Sequence, residues 1–397
     1  CENGFPDVQA SAEEMLCITM KNVNTKETIT WGTREFSPAD TEYRVFWTEQ
    51  EMLQNFHKWW VDNTPDVITG WNCNLYDIPY ICRRMERVLG EKWMRSLSPW
   101  NKVDMREVVI KGRTNLAYEV AGVTILDYLD LYQKFTYSNQ ESYRLDHIAY
   151  VELGQNKLDH SQFENFKDFY TSDWQRFVEY NIQDVNLVDR LEDKMRLLEL
   201  ALTLAYDAKV NLSDVYSQVR MWDTLIYNDL KGRNIVVPPK ISTQKDDKYA
   251  GAYVKEPVPG VYDWVVSFDL NSLYPHLIMQ YNISPETLID ERFPSITVDK
   301  LLQEEVTPNP NYCVCANGAQ YRKDIHGFLP EIMQRIYDER KIFKKQMLAA
   351  KRDLENAKSP AETETLQKSV SRFNNIQMAR KIQLNSAYGA IGNQYFR

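Results

Sequence analysis

The sequence predicts a multidomain protein of mixed α/β class that closes on a long antiparallel helical hairpin. Three observations carry this expectation. The first half alternates short apolar runs with turn residues and with segments of helical spacing. Pro238–Pro239 and the charged run Gln-Lys-Asp-Asp-Lys that follows mark a boundary near residue 240. Residues 329–356 and 361–386 are two long helical patterns joined by a Lys-Ser-Pro turn at 358–360.

In chain order, Met15–Met20 and Tyr43–Trp47 read as strands, and residues 49–62 as a helix with Met52, Leu53, Phe56, Trp59 and Trp60 on one face. Asp-Val-Ile-Thr-Gly-Trp-Asn reads as a buried strand entering a turn, and residues 103–133 hold several strand candidates ending in Val-Thr-Ile-Leu-Asp-Tyr-Leu-Asp-Leu-Tyr. Residues 174–207 read as one or two long helices, and Trp264–Leu270 as a buried strand approached through Pro and Gly punctuation. No internal repeat of 20–50 residues is present.

The 397 residues suggest two to four domains at roughly 100–200 residues each. An apolar fraction of 43% with 26% charged residues excludes intrinsic disorder, a disulfide-stapled miniprotein and a coiled-coil rod. The net charge of −9 argues against a nucleic-acid partner. Its distribution argues the other way, since residues 331–381 hold twelve Lys/Arg against seven Asp/Glu. Such a basic segment suits a local polyanion site, and also an ordinary solvated helical surface. The six cysteines complete no zinc pattern and read as free thiols of a reducing cytosol. No run of about 18 apolar residues and no signal peptide is seen, so no membrane partner is expected.

Four constellations carry chemistry. In Gly70–Tyr80 a carboxylate, Asp77, follows an apolar strand and a polar turn containing Asn72. Tyr180 and Asp184 are four residues apart and share one helical face. Two-metal phosphodiester hydrolysis needs carboxylates converging from different elements, and a Tyr hydroxyl beside them can orient the water. Taken singly, each Asp also fits a turn or a helix surface. In Ser267–Pro275, Asp269 ends an apolar run where a metal can be held, and the backbone amides after it can meet a triphosphate. Lys381, Asn385 and Tyr388 fall on one stripe of a helix, where a cation, an amide and a ring suit a triphosphate and a base pair. Arg340, Lys341, Lys344 and Lys345 cluster on the preceding helix, as a phosphate clamp or as a plain charged face.

Together these segments resemble family B DNA polymerases, most of all those of T-even-type phages, over essentially the whole chain. Asn72-x-x-x-Tyr76-Asp77 and Tyr180-x-x-x-Asp184 resemble the second and third exonuclease motifs, Asp269-x-x-Ser272-Leu273-Tyr274-Pro275 motif A, and Lys381-x-x-x-Asn385-Ser386-x-Tyr388-Gly389 motif B. The resemblance implies metal binding by Asp77, Asp184, Asp269 and the Leu270 carbonyl, and a water-orienting or phosphate role for Tyr180. It implies a 3′-strand contact for Asn72 and dNTP contacts for Arg340, Lys344, Lys381, Asn385, Ser272 and Leu273. Tyr274 is implied to exclude a 2′-hydroxyl, and Tyr388 and Gly389 to flank the nascent pair. Tyr249 and Gly251, in a Tyr-x-Gly segment, are implied to contact the template backbone. Residues 123–146 resemble the corresponding part of the phage enzymes, with Asp127 and Asp130 near the exonuclease site or in structural roles.

The implied organisation is a ribonuclease H-like 3′-5′ exonuclease domain at 1–196, a helical linker at 197–240 returning to it, the first part of a palm at 241–327, a fingers hairpin at 328–393 and the start of returning palm at 394–397. The implied function is template-directed DNA synthesis with proofreading, using two Mg²⁺ per site or Mn²⁺ in their place. Primer-template DNA, dNTPs, a sliding clamp and other replisome proteins are the implied partners, in the cytoplasm of an infected bacterium. The chain starts with Cys, lacks an Asp-x-Glu before its Gly-Phe-Pro turn and lacks a motif C Asp-Thr-Asp. It is therefore expected to be an internal piece of a longer protein and inactive alone. The rivals are a stand-alone nuclease, one half of a split polymerase and a non-catalytic DNA-binding subunit.

Overall fold

The computed structural model describes residues 6–38, 41–110, 112–136, 138–159, 161–237, 239, 254–290, 293, 295–307, 309–393 and 396. The chain divides into two compact units, Cys1–Ala201 and Leu202–Arg397.

In the first unit, β1 (Cys17–Lys21) pairs antiparallel with β2 (Thr28–Gly32), which runs parallel to β3 (Glu42–Val45). Helix α1 (Glu49–Asp62) starts at Thr48, whose hydroxyl accepts from the Glu51 amide at 3.2 Å. Its expected apolar face is real: Met52, Leu53, Phe56 and Trp60 are buried beside Trp31 of β2. β4 (Val67–Ile68) leads through a turn to α2 (Asp77–Leu89) and α3 (Glu91–Arg95), separated by Gly90 at φ +98°. The β5 (Val103–Ile110) and β6 (Arg113–Val120) hairpin follows, with Val103 opposite Val120.

β7 (Thr124–Ile125) lies parallel to β4. The run expected to be strand as far as Tyr132 turns helical: α4 spans Tyr128–Phe135, because Asp127 caps its first turn by accepting from the Leu129 amide at 3.0 Å. Then come α5 (Leu145–Leu153), α6 (Phe166–Ser172), α7 (Trp174–Met195) and α8 (Leu197–Ala208). A buried Arg84–Glu49 ion pair ties α2 to α1, and Glu49 also accepts from the Met15 amide at 2.8 Å.

In the second unit, a 3-10 turn at Leu212–Tyr216 precedes α9 (Gln218–Gly232). Within the expected 197–240 linker, Trp222 of α9 is buried against the hairpin helices. α10 (Leu273–Gln280), α11 (Val298–Leu302) and the pair β8 (Tyr312–Val314) and β9 (Gln320–Arg322) follow. The hairpin itself is α12 (Phe328–Glu355) and α13 (Pro360–Ile391). Ser359 caps α13, and Pro360 at its first position costs no hydrogen bond, since that amide has no intrahelical partner.

The expected buried strand Trp264–Leu270 is not found. The segment has no regular structure, and Trp264 and Phe268 are 91% and 92% exposed. A strand is held by its neighbour's ladder, and no described strand pairs with this run. Its backbone groups therefore face water, and its apolar side chains stand open.

Candidate active sites

The first site is built around α7. Its back face is tied to β1: Lys21 Nζ lies 2.8 Å from both Asn186 Oδ1 and Asp189 Oδ2. Tyr180 and Asp184, one turn apart, meet Lys157, whose ammonium donates to the Tyr180 hydroxyl at 3.2 Å and to Asp184 Oδ2 at 2.5 Å. Phe166 and Phe169 wall the Tyr180 ring, each with its centroid 6.0 Å away. Burial works to lower the Lys157 pKa, but Asp184 and then Tyr180 outweigh it, and the ammonium titrates above its ordinary range. Burial first, then the Asp184 charge, raises the Tyr180 phenol.

Asp77 enters from the start of α2. The turn before it puts Asn72 at φ +65°, a conformation Asn tolerates, and the Asn72 carbonyl accepts from the Tyr76 amide at 3.1 Å. Loss of water, then the like charge of Asp127 and more weakly of Asp184, push the Asp77 carboxyl up to about 6. The residue as a whole keeps contact with solvent. Asp130 is likewise raised to about 6, by burial and then by Asp127.

Carboxylate oxygens suit a hard cation such as Mg²⁺ in kind, and a dication would relieve the crowding of negative charge at Asp77 and Asp184. Among the described residues, no three His, Cys, Asp or Glu side chains converge into a metal-holding group. In this arrangement Lys157 brings a positive charge to Asp184.

Thus Asp77, Asp184 and Tyr180 lie in one neighbourhood, with Asn72 on the turn leading to Asp77. Lys157 was missed as a site builder; it sits in an irregular loop with no periodicity to betray it. Asp127, expected near this site or in a structural role, stands at the N-cap of α4.

The second site lies where α10 meets the hairpin. Asp269 and Leu270 are exposed on the segment before α10. Ser272, at φ +52°, makes the turn, and its hydroxyl lies 3.5 Å from Arg340 Nη1 on α12. The Tyr274 ring stacks on Tyr388 of α13, with centroids 4.6 Å apart and planes 14° from parallel. Lys344 is exposed one turn beyond Arg340, and Lys381 is half-buried. Asn385 and Gly389 are exposed, and a Cβ at Gly389 would meet nothing within 4 Å. No protein contact demands glycine there.

The opposite face of α13 is anchored. Trp222 Nε1 donates to the Gln383 carbonyl at 3.1 Å and to the Ser386 hydroxyl at 3.2 Å. Arg380 is paired with Asp207 of α8 at 2.5 Å and with Glu339 of α12 at 2.7 Å. Tyr249 and Gly251 lie outside the described residues. Cys17, Cys73, Cys82, Cys313 and Cys315 are free thiols. No helix among the described residues is long and apolar enough to cross a membrane.

Comparison with known proteins places these features in context. The model for the exonuclease domain of DNA polymerase family B matches residues 1–148, and that for DNA polymerase family B matches residues 210–396. The DNA-directed DNA polymerases of Escherichia phage RB69 and Enterobacteria phage T4 are 33% and 32% identical over 392 residues, each alignment covering 89% of this chain and 43% of the relative. The DNA polymerase delta catalytic subunit of Candida albicans is 30% identical over 359 residues, 87% of this chain and 32% of that protein. The chain therefore spans less than half the length of these relatives.

Proposed function

Since the chain belongs to DNA polymerase family B, with an exonuclease domain followed by polymerase sequence, we propose that the protein carrying it synthesises DNA on a template and edits the growing 3′ end. The substrates in this reading are primer-template DNA and dNTPs, and a sliding clamp and further replisome proteins are its expected partners. Bacterial cytoplasm during phage infection is the expected setting, in line with the phage relatives. The finer architecture proposed is a ribonuclease H-like exonuclease, then palm and fingers, with the α12–α13 hairpin as fingers. Tyr249 and Gly251 are proposed template contacts.

For synthesis, Asp269 and the Leu270 carbonyl would hold metal beside the primer end, and for editing Asp77 and Asp184 would do so. Two bound Mg²⁺, or Mn²⁺, would supply charge neutralisation and activation of the attacking oxygen. Arg340, Lys344 and Lys381 grip the triphosphate, Arg340 as a fork and the lysines as point charges. Ser272 and Leu273 offer the turn around it. Tyr274 closes the space where a 2′-hydroxyl would lie, and Asn385, Tyr388 and Gly389 face the new base pair. In editing, Asn72 holds the 3′-terminal strand, Tyr180 orients the attacking water, and Lys157 keeps the Tyr180 hydroxyl and Asp184 in register.

The observation that carries this reading is the Tyr274–Tyr388 stack beside the Arg340–Ser272 contact. It gathers side chains of motifs A and B, more than a hundred positions apart in sequence, at one place on the fold. A stand-alone nuclease has no use for that assembly. The test is a pair of variants in the protein that carries this chain. Asp269→Ala is expected to abolish primer extension and spare 3′ digestion, and Asp77→Ala to do the reverse. Extension that survives Asp269→Ala would defeat the proposal. A polypeptide of residues 1–397 alone is expected to run neither reaction efficiently, because the partner carboxylates of Asp269 and of the Asp77–Asp184 pair are not among its recognised motifs.

A further inference from the structure

The turn that delivers Asn72 and Asp77 is held together by a residue the proposed chemistry does not use. Asp127 is only 3% exposed. Its Oδ1 accepts from the Asn72 amide at 3.0 Å and from the Leu129 amide at 3.0 Å, and its Oδ2 accepts from the Asn74 amide at 2.9 Å. One carboxylate therefore caps α4 and, 55 residues back in sequence, grips both ends of the Asn72–Asn74 turn. The parallel pairing of β4 and β7 extends toward this point, with the Leu126 amide donating to the Ile68 carbonyl at 2.8 Å and the Tyr128 amide to the Gly70 carbonyl at 2.9 Å. Beyond the grip, the Ile78 amide donates to the Cys73 carbonyl at 3.0 Å, which seats α2 with Asp77 as its first residue.

We propose that Asp127 is a positioning residue of the editing site, fixing Asn72 and Asp77 through backbone amides rather than ligating metal itself. Both of its oxygens are aimed at N–H donors, so a cation would have to displace those bonds. The carboxylate is specifically required. An amide side chain keeps one acceptor and turns its NH₂ toward a backbone N–H, donor against donor. Asn tolerates the left-handed backbone at residue 72, and the Asp127 bonds to the Asn72 and Asn74 amides help to offset its remaining cost.

This inference rests on the editing half of the proposed function, and the experiment separates the two. In the protein that carries this chain, amide hydrogen exchange at Asn72 and Asn74 is compared between wild type and Asp127→Asn, and 3′ digestion of single-stranded DNA is followed over a Mn²⁺ titration. The wild-type amides should be as protected as those of the β4–β7 pair and should lose protection in the variant. Digestion at limiting Mn²⁺ should fall about 10–100-fold, the usual effect of removing a group that orients a ligand.

Unprotected Asn72 and Asn74 amides in the wild type would overturn the inference without any need for a folded variant. Full-speed digestion by Asp127→Asn at limiting Mn²⁺ would overturn it too, since a ligand left unoriented binds metal more weakly. If Asp77→Ala digests DNA as fast as wild type, the editing role falls, while the exchange result still decides whether Asp127 holds the turn.

Discussion

The Arg380 cross-brace gives the most demanding test of how the Lys381–Asn385–Tyr388 face of α13 is held. Arg380 joins three helices, reaching Asp207 on α8 and Glu339 on α12 from the residue next to Lys381. Arg380→Met strands two carboxylates. Deleting one partner of a buried ion pair costs about 3–5 kcal/mol. The Arg380 and Asp207 side chains are each 15% exposed and Glu339 is 35% exposed. Water therefore screens part of the loss, and about 3 kcal/mol is expected.

Asp207→Asn should cost less, about 1.5–2 kcal/mol, the worth of a hydrogen bond to a charged group. Arg380 keeps Glu339 in that variant. Burial already raises the Asp207 pKa against the pull of Arg380, so without the arginine this carboxyl should take up a proton more readily. The double variant should therefore be more stable than the sum of the single losses by about 1–2 kcal/mol. The assay is equilibrium urea unfolding of all four proteins, following the melting of the hairpin helices by circular dichroism. Losses that add within about 0.5 kcal/mol, or an Arg380→Met variant as stable as wild type, would refute the brace.

Tyr274→Ala, in the protein that carries this chain, should incorporate ribonucleotides more readily relative to deoxyribonucleotides; unchanged discrimination would remove its gate role. Asp77 binds its proton more tightly folded than unfolded, with a pKa of about 6 against 3.8. Its contribution to stability is complete below 3.8 and is lost as pH rises through about 6. Asp77→Asn should therefore gain thermal stability relative to wild type across that interval in metal-free buffer, and a constant difference between the two would contradict the crowding of carboxylates. Arg84→Met leaves Glu49 charged and buried, and should destabilise the first unit by about 3–5 kcal/mol in urea unfolding. A loss below about 1 kcal/mol would show that Glu49 is satisfied by other means.

What could be read from the sequence tracks how local its cause is. α1 and the α12–α13 hairpin follow from apolar periodicity, caps and the Ser359-Pro360 start, all set within a few residues. Tyr274 and Lys381 were singled out through the motif A and motif B resemblance, and the structure adds that the Tyr274 ring stacks on Tyr388 of the second motif. The Trp264–Leu270 run failed because an apolar sequence states a preference for strand, while a ladder needs a neighbour that sequence alone does not place. Tyr128–Tyr132 reads as strand because it continues the apolar run Val123–Leu126, whereas Asp127 caps a helix there. Lys157 was invisible for a different reason. Its importance lies in reaching two side chains on another element, 23 and 27 residues away, and nothing in its own loop encodes that reach.

The parallel rings of Tyr274 and Tyr388 have a consequence for selectivity. If one ring senses the sugar and the other the base pair, the two inspections share a single mechanical joint. A mispaired base that tilts Tyr388 would drag the sugar gate with it, and a ribose that displaces Tyr274 would disturb the floor under the pair. Errors of sugar and errors of pairing would then be rejected together rather than in turn, and a change in either ring would loosen both.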